Sequence, residues 1–501
     1  MSNNFSEEDI RKVAKGTGTT LIGSFAGGGF NFLSQIMIAR FLGVEAFGLY
    51  ALGFAAVKIC EIFAKLGLNS GGMRFVSIYK DEDKSKLKGT LISSTGISLL
   101  NGVVVGIILY FSSDFFAQKI FHKPELTESL KLFALSIPFI AGMSVVSSLL
   151  LGFHTTKYNV YINNFIQPLT NIILIICFYY AGFRLSGVIY SFILSNMISF
   201  IIGISYFNRL FPEFKNRHIK PTFEIKNLIS YSIPLLFLGF INYFLSWTDP
   251  LMLGFLSTTT DVGIYRAASR VPFIMTLFLG ATNSLYAPLV ADLYNKGEMQ
   301  RLANIYKSTT RWVTYAVVPV FVFILFSPKE IMMVFGKEYI ETGYIVLIIF
   351  SFGQLISCIV GGAGYTLIMT GRQNIQLFIS VASVVMNVAL NVILIPRYGS
   401  IGAAIATSIS IAFANITKVL LVFSYIKAHP FNAHFFKFAS FSIIAVIALL
   451  ILNNYFLSFP KFSFGIKAFE VLLIFSVFFY FVKLEAEDKF IFDKIRSKLS
   501  V

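Results

Sequence analysis

Apolar stretches long enough to cross a bilayer recur along this chain at short intervals, and no soluble core could absorb them all. A helix needs about 20 predominantly apolar residues to span the hydrocarbon region. Fourteen segments qualify by sequence: approximately 17–40, 47–67, 89–111, 131–152, 160–181, 185–206, 228–254, 262–288, 312–334, 342–368, 374–396, 399–426, 438–457 and 463–482. Only 13% of the 501 residues are charged, about half of what soluble domains carry. The expected fold class is an all-α polytopic membrane protein with about 14 transmembrane helices. Several segments contain proline, including Pro138, Pro168, Pro234, Pro250 and Pro319, which spanning helices tolerate where neighbours re-satisfy the freed backbone groups.

The net charge of +16 would suggest nucleic acid in a soluble chain. Here the basic residues cluster between apolar segments, and no basic patch interleaved with aromatics is present, so no nucleic-acid partner is expected. Lys and Arg set membrane orientation instead. The N-terminal segment, the 68–88, 207–227 and 289–311 loops and the tail, with Lys157, Arg372, Lys427 and Lys437, collect 26 of the 41 basic residues, against ten on the other side. Both termini are therefore expected in the cytoplasm, which agrees with an even number of spans. The polar opening MSNNFSEEDIRKVAKG runs directly into a full-length span, so no cleavable signal peptide is expected. Cys60, Cys177 and Cys358 lie inside apolar segments and the five histidines have no ligand spacing, so neither a disulfide framework nor a metal site is indicated.

The chain also repeats itself. Gly48-Leu49-Tyr50 recurs as Gly263-Ile264-Tyr265, and Tyr79, Lys157 and Gly187 recur as Tyr294, Arg372 and Gly402, all at an offset of 215 residues. Six spans separate equivalent points, so the two halves share one orientation; substrate sites of transporters with such repeats tend to lie at the repeat interface. The expected organisation is a cytoplasmic segment 1–16, a six-helix lobe 17–206, a cytoplasmic linker 207–227, a second six-helix lobe 228–426, an appended helix pair 438–482 and a cytoplasmic tail 483–501.

Two stretches then carry a resemblance. ARFLGVEAFGLYAL (39–52) is similar to the first signature of bacterial polysaccharide-biosynthesis flippases, the Wzx-type members of the multidrug/oligosaccharidyl-lipid/polysaccharide (MOP) exporter superfamily. YSIPLLFLGFINYFLSWTDPLMLGFLS followed by VGIYRAASR (231–270) resembles the family's seventh and eighth spans. The resemblance extends over nearly the whole chain. It implies a V-shaped pair of lobes around a central cavity lined by spans 1, 2, 7 and 8. The implied substrate is an oligosaccharide repeat unit on an isoprenoid pyrophosphate lipid, flipped across a bacterial cytoplasmic (inner) membrane by alternating access. A polysaccharide polymerase and other assembly proteins would be its partners.

The residues supply their own pointers. Lys58, Glu61 and Lys65 stand at i, i+3 and i+7 of the second span and share one helical face. Arg266 and Arg270 are an i, i+4 pair on the eighth span, and Asp249 precedes Pro250 on the seventh. Each such charge costs roughly 2.5–3.5 kcal/mol at mid-bilayer, so wet or paired surroundings are required. Four cations against two carboxylates favour an anionic ligand, because Arg binds pyrophosphate as a fork and Lys as a point charge. Asp249 and Glu61 are candidates for coupling to H⁺ or Na⁺; no other cofactor is expected.

Plainer readings stand beside these. Lys65 and Arg266 could snorkel to an interface, Lys58–Glu61 could be a structural ion pair, and Asp249 could simply neutralise Arg266 or Arg270. Asn31, Gln35, Asn242 and Trp247 could meet sugar hydroxyls or rings, although interhelical hydrogen bonding explains amides equally well. The run of small residues at 23–29 suits close helix packing. No hydrolytic constellation occurs, so no enzyme is expected. The competing functions are a cation-coupled multidrug or metabolite antiporter of the MATE type, a peptidoglycan-precursor (lipid II) flippase and a membrane scaffold.

Overall fold

The computed structural model describes the backbone of residues 7–431, 433–455 and 463–481. Within these, the side chains of residues 7–22, 238, 241–242, 244–246, 433–434, 448, 450–455, 463 and 478–481 lie outside the description. Every regular element among the described residues is helical, as a low-dielectric surround demands of a chain that must satisfy its own backbone.

Contacts divide the chain into two units, Met1–Ala267 and Ala268–Val501. The first contains α1 (Glu7–Leu42), α2 (Val44–Lys65), α3 (Leu68–Glu82), α4 (Lys84–Phe115), α5 (Leu126–Ala134), α6 (Ile137–Gly152), α7 (Lys157–Val160), α8 (Gln167–Tyr180), α9 (Leu185–Leu210) and α10 (Ile225–Leu256). Helix α11 (Thr259–Arg270) begins in it and crosses the division. The second contains α12 (Phe273–Asn295), α13 (Met299–Phe326), α14 (Pro328–Phe335), α15 (Ile340–Ile359), α16 (Ala363–Met369), α17 (Gln373–Ile426), α18 (Ala433–Tyr455) and α19 (Ser463–Phe481).

Eight helical segments among the described residues are long and apolar enough to cross a membrane, or nine if the α5–α6 pair, bent by 48°, is one span. One of them, α17, holds two of the segments read from the sequence. At about 1.5 Å per residue its 54 residues would reach far beyond a bilayer if straight. It breaks at Gly399, whose φ of 53° lies in the left-handed region, and folds back so that Ser383 Oγ donates to the carbonyl of Ser410 at 2.9 Å. Large apolar side chains left exposed, such as Leu100 and Phe111 on α4 or Leu377 and Phe378 on α17, form the surface a lipid solvent would cover.

Two stretches expected as basic loops are largely helical. Residues 68–82 form α3, separated from α2 by Leu66 and Gly67, both with left-handed backbone. Arg311, counted with the 289–311 loop, is buried inside α13 at 1% exposure. Periodicity could not place either, because a short polar amphipathic segment looks like a loop until its partner helix is known.

In the first unit the core gathers Leu68 and Val76 of α3, Leu87 and Leu91 of α4, Leu149 and Leu150 of α6 and Phe200 and Phe207 of α9. Helix α1 lies close to the end of α7 and the turn after it, with Gly23 against Val160 and Gly27 against Asn164, which is the close packing expected of its small residues. In the second unit α12, α13, α16 and α17 share a core that includes Tyr286 and Tyr306. There Tyr286 Oη pairs with Thr366 Oγ1 at 2.7 Å, and Tyr306 Oη donates to the carbonyl of Val360 at 2.9 Å. Helices α18 and α19 pack on α13 through Tyr315–Phe438 and Phe323–Phe464. Lys467 pins α19 to Glu330 of α14.

Helix α10, expected as the first span of the second lobe, packs on α2 and α3. Helix α11 meets α2 at a reciprocal crossing. A Cβ on Gly48 would collide with the carbonyl of Thr259, and a Cβ on Gly263 with the carbonyl of Val44. Gly48 and Gly263 are one of the 215-residue pairs, and so are Val44 and Thr259. Each contact is thus the image of the other, as in an isologous interface. Overpacking of this kind typically costs about 1–3 kcal/mol. Gly48→Leu and Gly263→Leu are each expected to lower the thermal midpoint in detergent, and the double variant to lose less than the two combined because one crossing is disrupted twice. Unchanged midpoints in both single variants would contradict this packing.

The segment between α9 and α10 is fastened to the first unit by a row of lysines at alternate positions. Lys84 bonds Glu213 at 2.6 Å, Lys86 bonds Glu224 at 2.7 Å, and Lys88 Nζ donates to the carbonyls of Asn216 at 2.7 Å and Ile219 at 3.1 Å. Hydrogen bonds from Lys86, Tyr79 and Asn227 hold the Glu224 carboxyl down at about 2, and Lys84 lowers Glu213. A depressed carboxylate contributes fully above its ordinary value and loses that contribution only as pH falls toward the depressed one. Tryptic cleavage at Arg217 and Lys220 in the full-length protein should therefore be slow and level between pH 6 and 9 once corrected for trypsin activity. It should accelerate several-fold in Lys88→Met, whose ammonium alone holds two of the strap's carbonyls.

Candidate functional site

Helix α2 carries the charge. Its i, i+3, i+7 spacing turns Lys58, Glu61 and Lys65 to one side, and Glu61 is buried at 5% exposure. Lys58 Nζ lies 2.7 Å from Glu61 Oε2, and Lys65 Nζ lies 3.4 Å from Oε1. Two ammonium groups thus share one carboxylate, which satisfies a group too costly to bury alone and leaves the trio with one net positive charge.

Beside it stands an aromatic column. Tyr243 and Trp247, one turn apart on α10, stack with ring centroids 5.4 Å apart and planes at 18°. The Arg266 guanidinium lies 4.0 Å over the Trp247 ring, an arrangement worth about 0.5–2 kcal/mol depending on desolvation. Phe54 of α2 abuts Trp247 at 5.6 Å, and Lys58 Nζ sits 5.6 Å from the Phe54 ring. Tyr243 Oη donates to the carbonyl of Ala55 at 3.0 Å. Lys58 and Arg266 therefore flank one run of rings that joins α2, α10 and α11.

Two further bonds fix α10. Tyr265 Oη donates to Asp249 Oδ2 at 2.7 Å, so Asp249 serves the residue next to Arg266. Lys123 Nζ donates to the carbonyls of Gly254 at 2.6 Å and Ser257 at 2.8 Å, capping the helix end where unpaired carbonyls collect.

A pocket of about 310 Å³ lies inside the first unit, walled by α1, α2, α6, α8, α9 and the turn before α8. Of the residues singled out in the sequence, Asn31, Gln35, Lys58 and Glu61 line it. The rest of its polar wall was not singled out. Asn159, Asn163, Gln167 and Asn171 enter at every fourth residue, a spacing that over-rotates by about 40° per step on an ideal α-helix. The wider π-helical turn at Tyr161–Ile166 offsets that drift and keeps the four amides on one face. Asn196 of α9 and Ser144, Ser147 and Ser148 of α6 complete the wall. The every-fourth amide pattern was the available signal; the π-turn that makes it a straight stripe was not visible.

The expected cavity residues thus fall into groups. Lys58, Glu61 and Lys65 form the ion trio, Trp247 and Arg266 the column, and Asn31 and Gln35 part of the pocket wall, while Asp249 bonds Tyr265. Arg270 is the last residue of α11 and belongs to the second unit. The side chain of Asn242 lies outside the described residues. Among the described residues, no group of three His, Cys, Asp or Glu side chains is arranged to hold a metal ion.

The chain and its helical framework are similar to known proteins. The chain is 26% identical over 425 residues to a probable low-salt glycan biosynthesis flippase of Haloferax volcanii, covering 83% of this chain and 84% of that one. It is 25% identical over 384 residues to a capsular polysaccharide biosynthesis protein of Staphylococcus aureus, covering 76% and 91%. Its fold matches that of a lipid II flippase, MurJ, in an inward closed conformation, with a TM-score of 0.72 at 17% identity over 92% of this chain and 97% of that one. Residues 234–393 match the MatE family. Residues 13–294, more than half of the chain and a range that contains every candidate residue from Asn31 to Arg270, match the polysaccharide biosynthesis protein family; the chain belongs to that family.

Proposed function

We propose that this chain is a flippase that moves an isoprenoid-pyrophosphate-linked oligosaccharide across a cytoplasmic-type membrane during surface polysaccharide biosynthesis. The observation that carries the reading is the excess of cations along α2 and the ring column: Lys58 and Lys65 share the single carboxylate of Glu61, and Lys58 and Arg266 lie over the Phe54 and Trp247 rings. A diffuse polyanion gains from such a face what it loses in dehydration, since charge-assisted bonds are about twice as strong as neutral ones. Arg270 follows Arg266 by one turn on α11 and offers the anion a second guanidinium.

The finer architecture belongs to the same reading: about 14 transmembrane helices, two parallel six-helix repeats with an appended pair, both termini cytoplasmic, and a multi-pass protein of a bacterial inner membrane. It acts by alternating access and catalyses no bond-making step, and it delivers substrate to a polymerase and other assembly proteins. Coupling to H⁺ or Na⁺ is assigned to Asp249 or Glu61. An exporter of cationic drugs, the reading the MatE match would support, needs walls of the opposite sign.

Lys58→Ala and Arg270→Ala are expected to reduce surface polysaccharide at least tenfold in cells lacking the native copy, with normal amounts of membrane-inserted protein by immunoblot. Wild-type polymer in both variants would overturn the assignment of these cations. Asp249→Asn is expected to flatten the dependence of export on the ion gradient; an unaltered dependence would remove Asp249 from the coupling role.

A further inference from the structure

The amide pocket of the first unit has a chemistry distinct from the cation column beside it. Four of its five asparagine nitrogens donate to the protein. Asn31 Nδ2 donates to the carbonyl of Gly27, Asn196 Nδ2 to that of Phe192, Asn159 Nδ2 to the Ser147 carbonyl and hydroxyl, and Asn163 Nδ2 to Ser147 Oγ and the Asn159 carbonyl. What remains on the wall is mixed, with amide oxygens that accept and the Gln35, Gln167 and Asn171 nitrogens that can donate. Two polar atoms on the wall are buried without a partner: Ser34 Oγ, in a residue 3% exposed, and Asn171 Oδ1, in a residue 8% exposed. Buried unpaired polar atoms are costly, and an occupant that draws these two to the cavity surface and bonds them would relieve that cost.

Charge narrows the occupant. Among the described residues, the ionised groups on the wall are Lys58 and Glu61, and they are paired with each other. An anion finds no excess of cation there and a metal ion no unmatched carboxylate. A neutral molecule bearing several hydroxyls, each both donor and acceptor, suits such a mixed wall, and the Tyr50, Phe54 and Phe192 rings on the same wall suit the apolar C–H faces of such a molecule. A volume of about 310 Å³ lies at the small end of ligand pockets, enough for one sugar ring. Lys58 and Phe54 belong both to this wall and to the column, so the ring's neighbour would be the anionic group held there.

We infer that this pocket binds a neutral, hydroxyl-rich sugar ring of the lipid-linked substrate, through Ser34, Asn171 and the amide stripe Asn159–Asn163–Gln167. The inference rests on the flippase reading and assigns the part of the site that recognises glycan as distinct from pyrophosphate.

The test uses full-length protein in nanodiscs, wild type and the double variant Ser34→Ala/Asn171→Leu, with two probes: polyisoprenyl pyrophosphate, and the same lipid carrying N-acetylglucosamine. Removing two unpaired polar atoms should leave the thermal midpoint unchanged or higher, which a structural role for them would not. The wild type is expected to bind the sugar-bearing lipid at least tenfold more tightly than the bare one. The double variant should lose that advantage and keep its affinity for the bare lipid. A variant that retains the advantage, or a wild type with none, overturns the pocket assignment while binding of the bare lipid leaves the flippase reading in place. Binding of neither lipid by the wild type overturns both. Stabilisation of the wild type by sodium chloride over choline chloride, lost in the variant, would give the pocket to a cation instead.

Discussion

Glu61 is the residue around which the first unit is arranged. A carboxylate this deeply buried survives only with compensation, and α2 supplies it from one turn on either side with Lys58 and Lys65. Having been met twice, it leaves one positive charge over, so the same trio that satisfies a structural requirement also creates an electropositive face. Breaking such a set by removing one member is far more damaging than never having built it. Structure and function therefore lean on the same three side chains, and neither the ion-pair reading nor the ligand reading of them excludes the other.

The helices that bear on this face are tied to α2 by means suited to a low-dielectric setting. Glycines let backbones touch where Gly48 and Gly263 cross. Ring stacking and the Tyr243–Ala55 bond join α10. Lys123 caps the far end of α10 through its carbonyls. The lysine row at 84, 86 and 88 fastens the strap that precedes it. Within the membrane, such contacts replace an interaction that hydrophobic burial would provide in water but that lipid does not.

Much of this was legible in the sequence. The fold class followed from apolar run length, and the face of Lys58, Glu61 and Lys65 from helical period alone, because both depend on local spacing. Partners were less legible. Nothing local says that Trp247 takes Arg266, that Asp249 receives Tyr265, or that Lys123 reaches α10 across more than a hundred residues. The amides from Asn159 to Asn171 were readable as a four-residue repeat, but a repeat of four becomes one stripe only through the π-turn at 161–166. The helices α3 and α13 show the opposite failure: residues 68–82 and Arg311 looked like loop because a polar stretch gives no hint of the surface that receives it.

The central claim is that an electropositive, ring-backed face in a helical membrane framework carries a lipid-linked glycan from one leaflet to the other. The most direct measurement is translocation in liposomes reconstituted with purified protein. A fluorescent isoprenoid-pyrophosphate oligosaccharide in the inner leaflet would be followed by its loss of protection from a membrane-impermeant quencher. The account predicts exposure well above that of protein-free liposomes, and a fall toward that baseline when Lys58, Arg266 and Arg270 are neutralised together. Exposure equal to protein-free liposomes under every imposed ion gradient, with correctly inserted protein, would contradict it.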